Sequence, residues 1–234
     1  MTFELEISNL HFSYEKQPVI TGLSLQISQA GIIGLLGLNG EGKSTLLKLL
    51  AGILPATDNS IHFSSASGNI NPIGFLPERP LFYPELSVTE NIHFAGQIQG
   101  IDSASISRHV DEAVQMCQLS EKYRQLAGNL SKGFQQRLGL AMAIVHQPEL
   151  LLLDEPTDGL DPQQIAETHQ LIRSLAERST IIISSHRLDE ISQLCDRLLV
   201  LHNGKFKHDA DISDQQQRKN ITALFNSIIN GAES

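Results

Sequence analysis

The densest chemistry in the sequence lies in Gly37, Leu38, Asn39, Gly40, Glu41, Gly42, Lys43, Ser44 and Thr45. Glycine, four residues, then Gly-Lys-Ser is the pattern of a phosphate-binding loop, or P-loop. Its glycines let successive backbone N–H groups turn toward one anion, and a helix that starts at the end of the loop adds its positive N-terminus. In such a loop Lys43 would reach the β- and γ-phosphates, the Ser44 hydroxyl would ligate Mg²⁺, and Thr45 would contact the α-phosphate.

A second constellation follows four leucines, where Asp154 and Glu155 stand side by side. Carboxylates at the C-terminal end of a buried strand lie where open α/β sheets bind ligands. Asp154 suits a water-mediated Mg²⁺ contact, and Glu155 suits a general base for an attacking water. Alone, an Asp-Glu pair after a strand is more often a solvated turn. Downstream of a P-loop, the nucleotide reading becomes the stronger one.

These groups need elements to place them. Phe3, Leu5 and Ile7 alternate with polar neighbours, as do Leu23, Leu25 and Ile27, so the chain is expected to begin with antiparallel β-structure. The continuous apolar run 32–36 reads as a buried strand that feeds the P-loop, and Leu46, Leu47, Leu49 and Leu50 read as the helix leaving it. Further strands are expected at residues 60–63, 73–76, 150–153, 180–184 and 198–202, with helices between several of them. From residue 87 to 146 the strand signal disappears, and segments 88–98 and 106–119 carry apolar residues at helical spacing. Ser131 is placed to cap a helix running to His146. Gly204 marks a turn after the last buried strand, and Ile221, Leu224, Phe225 and Ile228 give a docked terminal helix.

Composition sets outer limits. The chain has 234 residues, 41% of them apolar, enough for one large core or two modest lobes. Its apolar runs fall short of the roughly 20 residues that cross a bilayer, and its start lacks the pattern of a secretory signal, so a cytoplasmic location is expected. A formal charge of −9 argues against general nucleic-acid binding, so any phosphate site must be local. Two cysteines, Cys117 and Cys195, suggest no disulfide framework.

With these residues in view, the chain resembles the ABC ATPases over residues 3–204. The distinguishing segment is Leu130-Ser131-Lys132-Gly133-Phe134-Gln135-Gln136-Arg137, which resembles the family signature. Lys132 and Phe134 stand where Gly and Gln are commoner, and a Lys there resembles a bacterial branch rich in exporters of drugs, ions and cofactor-assembly components. The resemblance implies an α/β fold with a mixed sheet, an N-terminal antiparallel β subdomain and an inserted α-helical subdomain. In that scheme residues 1–84 and 148–210 form the core, 85–147 the helical subdomain and 211–234 a C-terminal helix.

The resemblance also implies roles. Tyr14 would stack on adenine, although by itself it reads as a core tyrosine. Glu78, in Gly74-Phe-Leu-Pro77-Glu78, occupies the lobe hinge, where the family usually carries Gln near Mg²⁺, and is a further candidate metal ligand. Asp161 would contact the second subunit, and Ser131, Lys132, Gly133 and Phe134 would reach across to the other subunit's γ-phosphate. His186, otherwise read as a surface histidine at a strand end, would act as a switch on the γ-phosphate and join Lys43 and Glu155 in catalysis. ATP and Mg²⁺ are the implied ligands. The implied partners are membrane-spanning permease subunits, engaged by the surface from Glu78 to Tyr83, and a second copy of the chain or a paralogous ATPase. The implied function is transport, with export favoured, from the inner face of the membrane. A soluble ABC ATPase for assembly or remodelling, and an ATP-holding module without turnover, are the competing classes.

Overall fold

Apolar side chains at alternate positions, among them Leu5, Ile7, Leu23, Leu25 and Ile27, are buried and pull the start of the chain into a sheet. The computed structural model describes residues 3–28, 30–56, 60–64 and 71–229. In chain order the first elements are β1 (Glu4–Tyr14), β2 (Gln17–Ile27), β3 (Ile32–Leu36), α1 (Lys43–Leu50) and β4 (Ile61–Ser64). Next come β5 (Ile73–Leu76), α2 (Val88–Ile98), α3 (Ile106–Met116), α4 (Lys132–Ile144), β6 (Leu150–Asp154) and α5 (Pro162–Ala176). The chain ends with β7 (Thr180–Ser185), α6 (Leu188–Leu194), β8 (Arg197–His202), β9 (Lys205–Asp211) and α7 (Gln215–Ile229). They form two compact units, Met1–Ser67 with Thr180–Ser234, and Gly68–Ser179.

In the first unit, β1 pairs antiparallel with β2 and β4, so that Leu5 faces Ile27 and Phe63. This is the expected antiparallel N-terminal subdomain. A second sheet of the same unit has β3 parallel to both β7 and β8, with Leu36 opposite Ser185 and Val200. Every residue of β3 and β7 is buried, as fits strands covered on both faces. On one face α6 lies so close that a Cβ on Gly34 would stand 2.8 Å from Ile191. The tail helix α7 docks through buried Ile221 and Phe225. Arg218 fixes its start by donating to the Ile212 and Cys195 carbonyls at 2.8 and 3.1 Å.

Beyond the last buried strand and the expected turn at Gly204, the sheet gains a further strand that the sequence analysis did not name. Strand β9 pairs antiparallel with β8 and makes the sheet mixed. The turn between them is Asn203-Gly204, with φ of 53° and 71°, the left-handed pair that matches hairpin twist. Strand β9 alternates exposed and half-buried residues, so it lacks the apolar run that marks its neighbours.

In the second unit β5 runs parallel to β6, Leu76 opposite Leu153. Helix α4 crosses β5 at close range, since a Cβ on Gly74 would lie 2.2 Å from the Ala143 carbonyl. Helix α2 has the bounds expected from its spacing and begins with a capping box between Ser87 and Glu90. The segment read as helical to residue 119 stops at Met116, because Gln118 takes a left-handed φ of 55°. Cys117 and Cys195 are both buried, and desolvation pushes their thiol pKa values far up. Among the described residues no helix is long and apolar enough to cross a membrane.

Candidate active site

Strand β3 delivers the chain to Gly37, whose Cβ position is already occupied by the Leu201 carbonyl, 2.7 Å away. Leu38, Asn39 and Gly40 form an exposed crest. Gly42 then caps α1 in the left-handed region, φ 100°, a conformation open to glycine at no steric cost. Buried Lys43 folds back under the crest, and its Nζ donates to the Gly37 carbonyl at 2.7 Å and the Leu38 carbonyl at 3.2 Å. Ser44 and Thr45 follow in the first turn of α1, so the helix N-terminus and the ammonium face the same loop. Such an arrangement binds a phosphate chain.

The Glu41 side chain lies on the other side of the loop. It accepts from His202 Nδ1 at 2.9 Å and from the backbone N–H of Asn203. Sequence reading grouped Glu41 with the nucleotide contacts and missed this strap. Asn203-Gly204, a strong hairpin-turn signal, could have located the turn but not its partner.

His186 follows β7 directly. Because Leu36 and Ser185 are register partners, Gly37 and His186 leave adjacent parallel strands at the same level. His186 is exposed, while Ser184 and Ser185 before it are fully buried. The hydroxyl of Ser185 donates to Glu190 at 2.7 Å and accepts from the Arg187 N–H at 3.0 Å. Glu190 was not singled out from the sequence, and its spacing to Ser185 carries no recognised signal.

In the second unit, β6 ends on buried Asp154, and Glu155 follows with φ 45°. A left-handed non-glycine residue at a carboxylate position is a strained arrangement that functional sites retain. Register pairing of Leu76 with Leu153 brings the exposed Glu78 and the Asp154-Glu155 pair off neighbouring strand ends. Asp161 caps α5 by accepting from Gln164 N at 2.9 Å, with Pro162 at the first helical position.

Ser131 occupies the N-cap of α4, but its exposed hydroxyl makes no cap hydrogen bond. The helix it begins ends at Ile144, short of His146. Gly133 is buried against the Gln164 side chain, and a cleft of ≈60 Å³ opens there, lined by Ser131, Gly133, Phe134 and Gln164. Lys132 reaches Asp158 at 3.8 Å across an exposed gap. Phe134 is covered by Lys122 and Arg137, at 5.2 and 5.7 Å from its ring centre.

Tyr14 is 45% exposed, which overturns its reading as a core residue. It ends β1 at the hairpin tip, edge-on to Phe12 with ring centres 5.0 Å apart. Strand alternation there no longer points the ring inward.

Comparison with known proteins agrees with this geometry. The sequence family described as ABC transporter matches residues 20–158. Bacitracin transport ATP-binding protein BcrA of Bacillus licheniformis is 37% identical over 93% of this chain and 73% of its own. Lantibiotic transport ATP-binding protein SrtF of Streptococcus pyogenes is 33% identical over 96% and 97% of the two chains. Among solved structures, an ATP-binding subunit of an ABC transporter is similar with TM-score 0.78 and 25% identity, covering 98% of this chain and 99% of its own. CbiO1 from Clostridium perfringens, part of the ABC transporter complex cbiONQ, is similar with TM-score 0.79 and 25% identity, covering 97% and 95%.

Proposed function

The chain belongs to the ABC transporter family of ATP-binding, ATP-hydrolysing subunits, and from that premise we propose that MgATP-driven closure of a dimer powers export through separate membrane subunits. The observation that carries the reading is the P-loop itself, with Gly42 left-handed at the start of α1 and Lys43 held beneath the crest. ATP is cradled by the backbone from Gly37 to Thr45, Lys43 meets its β- and γ-phosphates, and Tyr14 stacks on adenine, a type of contact worth about 1–3 kcal/mol per base in single-stranded nucleic-acid binding.

Mg²⁺ takes oxygen ligands and keeps substrate phosphates among them. The Ser44 hydroxyl and the Asp154 carboxylate supply that donor type, with Glu78 a further oxygen donor. When bound, the ion neutralises charge on the β- and γ-phosphates. Glu155 accepts a proton from the attacking water. The water oxygen bonds to the γ-phosphorus as the bond to the β-phosphate oxygen breaks, giving ADP and phosphate. His186 donates to the γ-phosphate and reports its presence.

In the dimer, Ser131, Lys132, Gly133 and Phe134 at the start of α4 meet the γ-phosphate bound by the other copy, or by a paralogous ATPase subunit, and Asp161 lies on the contact surface. The exposed start of α4 and the cleft beside Gly133 support this. ATP contacts on both faces supply the differential affinity that closing requires.

The permease contact is assigned to the surface from Glu78 to Tyr83, which leads into the helical segment 85–147. Leu81 is 78% exposed and Tyr83, two residues on, 51%, so two large apolar side chains stand together on this surface. Buried Asn91 holds Tyr83 in place, accepting from its N–H at 2.8 Å and donating to its carbonyl at 3.0 Å. A groove of ≈400 Å³ lined by Leu86, Glu90, His93, Phe94 and Tyr123 adjoins the Tyr83 ring, which stands edge-on to Phe94. A short helix from a membrane subunit would fit there, placing the chain at the inner face of the membrane. The relatives named for bacitracin and lantibiotic transport support export.

Affinity purification from gently solubilised cells tests the reading. Recovery of a polytopic membrane protein, lost on Leu81→Glu, supports it. Soluble partners alone, with turnover intact, would move the assignment to an assembly ATPase.

A further inference from the structure

The turn that carries His186 is governed by a carboxylate that never reaches the surface. Glu190 is 1% exposed and Ser185 is fully buried. A serine hydroxyl has one proton and two lone pairs. Here the proton goes to Glu190 Oε2 at 2.7 Å, which turns a lone pair toward the Arg187 N–H at 3.0 Å. Both contacts flank His186, one residue before it and one after it. The reach of the turn is fixed at its other end by β7, whose Ser185 is paired with Leu36 just ahead of the P-loop. Glu190 itself stands in the first turn of α6, where a carboxylate is favoured by the helix dipole.

We propose that Glu190 is a positioning residue for hydrolysis, acting through the Ser185 hydroxyl to hold the His186 imidazole at its catalytic setting. The proposal rests on the reading of His186 as the γ-phosphate contact. An exposed imidazole on an unrestrained turn would sample many directions. Hydrogen bonds on both sides of it fix the backbone from which the ring projects before substrate arrives, part of the preorganisation that electrostatic catalysis needs. Because Lys43 is held by the Gly37 and Leu38 carbonyls and the dyad by the His186 turn, loss of the dyad should slow turnover more than it weakens ATP binding.

The test is a set of full-length variants measured by ATP titration and by single-turnover hydrolysis. Ser185→Ala and Glu190→Ala should lower kcat by about tenfold to a hundredfold, the scale of a small misplacement of a catalytic group, with a smaller change in the KM for ATP. Glu190→Gln, which keeps an acceptor for the Ser185 hydroxyl, should recover most of that loss. In a His186→Ala background, Glu190→Ala and Ser185→Ala should cost nothing further. Wild-type turnover in Ser185→Ala, or losses that multiply in the His186→Ala background, would overturn the proposal and leave Glu190 a structural residue. Wild-type turnover in His186→Ala alone would instead remove the histidine assignment on which it stands. Should Glu190→Ala fail to fold, Ser185→Ala decides the matter, since it removes one buried oxygen.

Discussion

Glu41, in the phosphate loop, and His202, at the end of β8, are joined at 2.9 Å through Oε1 and Nδ1. Because a carboxylate only accepts, the imidazole is the donor. Glu41 also takes the Asn203 N–H, so two bonds strap the crest of the loop to the β8–β9 turn and aim its negative charge away from where phosphate binds. Glu41→Ala should weaken ATP binding about threefold to tenfold, near the ~1 kcal/mol of a net hydrogen bond. Calorimetric titration with ATP checks this, and affinity at the wild-type value would refute the strap.

The strained backbone at Glu155 reverses an ordinary preference. Alanine normally stabilises relative to glycine, but at φ 45° an alanine Cβ meets its own carbonyl. Glu155→Gly should therefore melt above Glu155→Ala, by about 1 kcal/mol in stability. If Glu155 has the proposed role of general base, Glu155→Gln should bind ATP normally while hydrolysis falls about a hundredfold or more. Thermal melts and phosphate release measure the two effects separately.

His146 makes stability depend on pH. Burial, then the nearby His109, lower its pKa, against a raising contribution from its hydrogen bond to the Ile73 carbonyl, 3.0 Å away. The unfolded chain thus binds a proton at this site more readily than the folded one. Stability is unaffected above the ordinary histidine value of about 6.5 and declines as pH falls below it. Urea midpoints at about pH 5.5 and pH 7.5, on either side of that value, should show a steeper acid loss in the wild type than in His146→Gln. Equal slopes would count against it.

Arg137 binds α4 to α5. Its guanidinium pairs with Glu167, donates to Gln118 at 2.7 Å and lies over the Phe134 ring. A lysine keeps the charge but cannot serve three directions in one plane. Arg137→Lys should cost about 1–2 kcal/mol, read as a lowered urea midpoint, with Arg137→Ala costing more.

Much of this architecture was legible because local chemistry agreed with tertiary need. Val88 to Ile98 forms a helix with the expected bounds because apolar spacing, Ser87 and Glu90 all point the same way. The P-loop was legible because a fully buried strand and an amphipathic helix flank it. Strand β9 was not, since a half-exposed edge strand without a buried run looks like loop. Tyr14, which by itself reads as a core residue, is exposed because it ends β1 at a hairpin tip, and that exposure leaves its ring open to the proposed adenine contact. The partnership of Glu41 with His202 joins residues far apart in sequence, and that of Ser185 with Glu190 depends on how β7 turns into α6. Neither leaves a trace in composition or spacing.

The burial of both thiols bears on how the chain can be observed. Cys117 and Cys195 are fully covered, and desolvation disfavours their reactive thiolates. Maleimides and spin-label reagents, which need an accessible thiolate, should pass over the native protein. A cysteine introduced at exposed Ile98 or Leu126, to which no ligand contact is assigned, would then be the one fast-reacting group. The wild-type chain thus serves as its own background for site-directed probes, and the proposed dimer closure can be tested by distance measurement without first replacing a residue of the core.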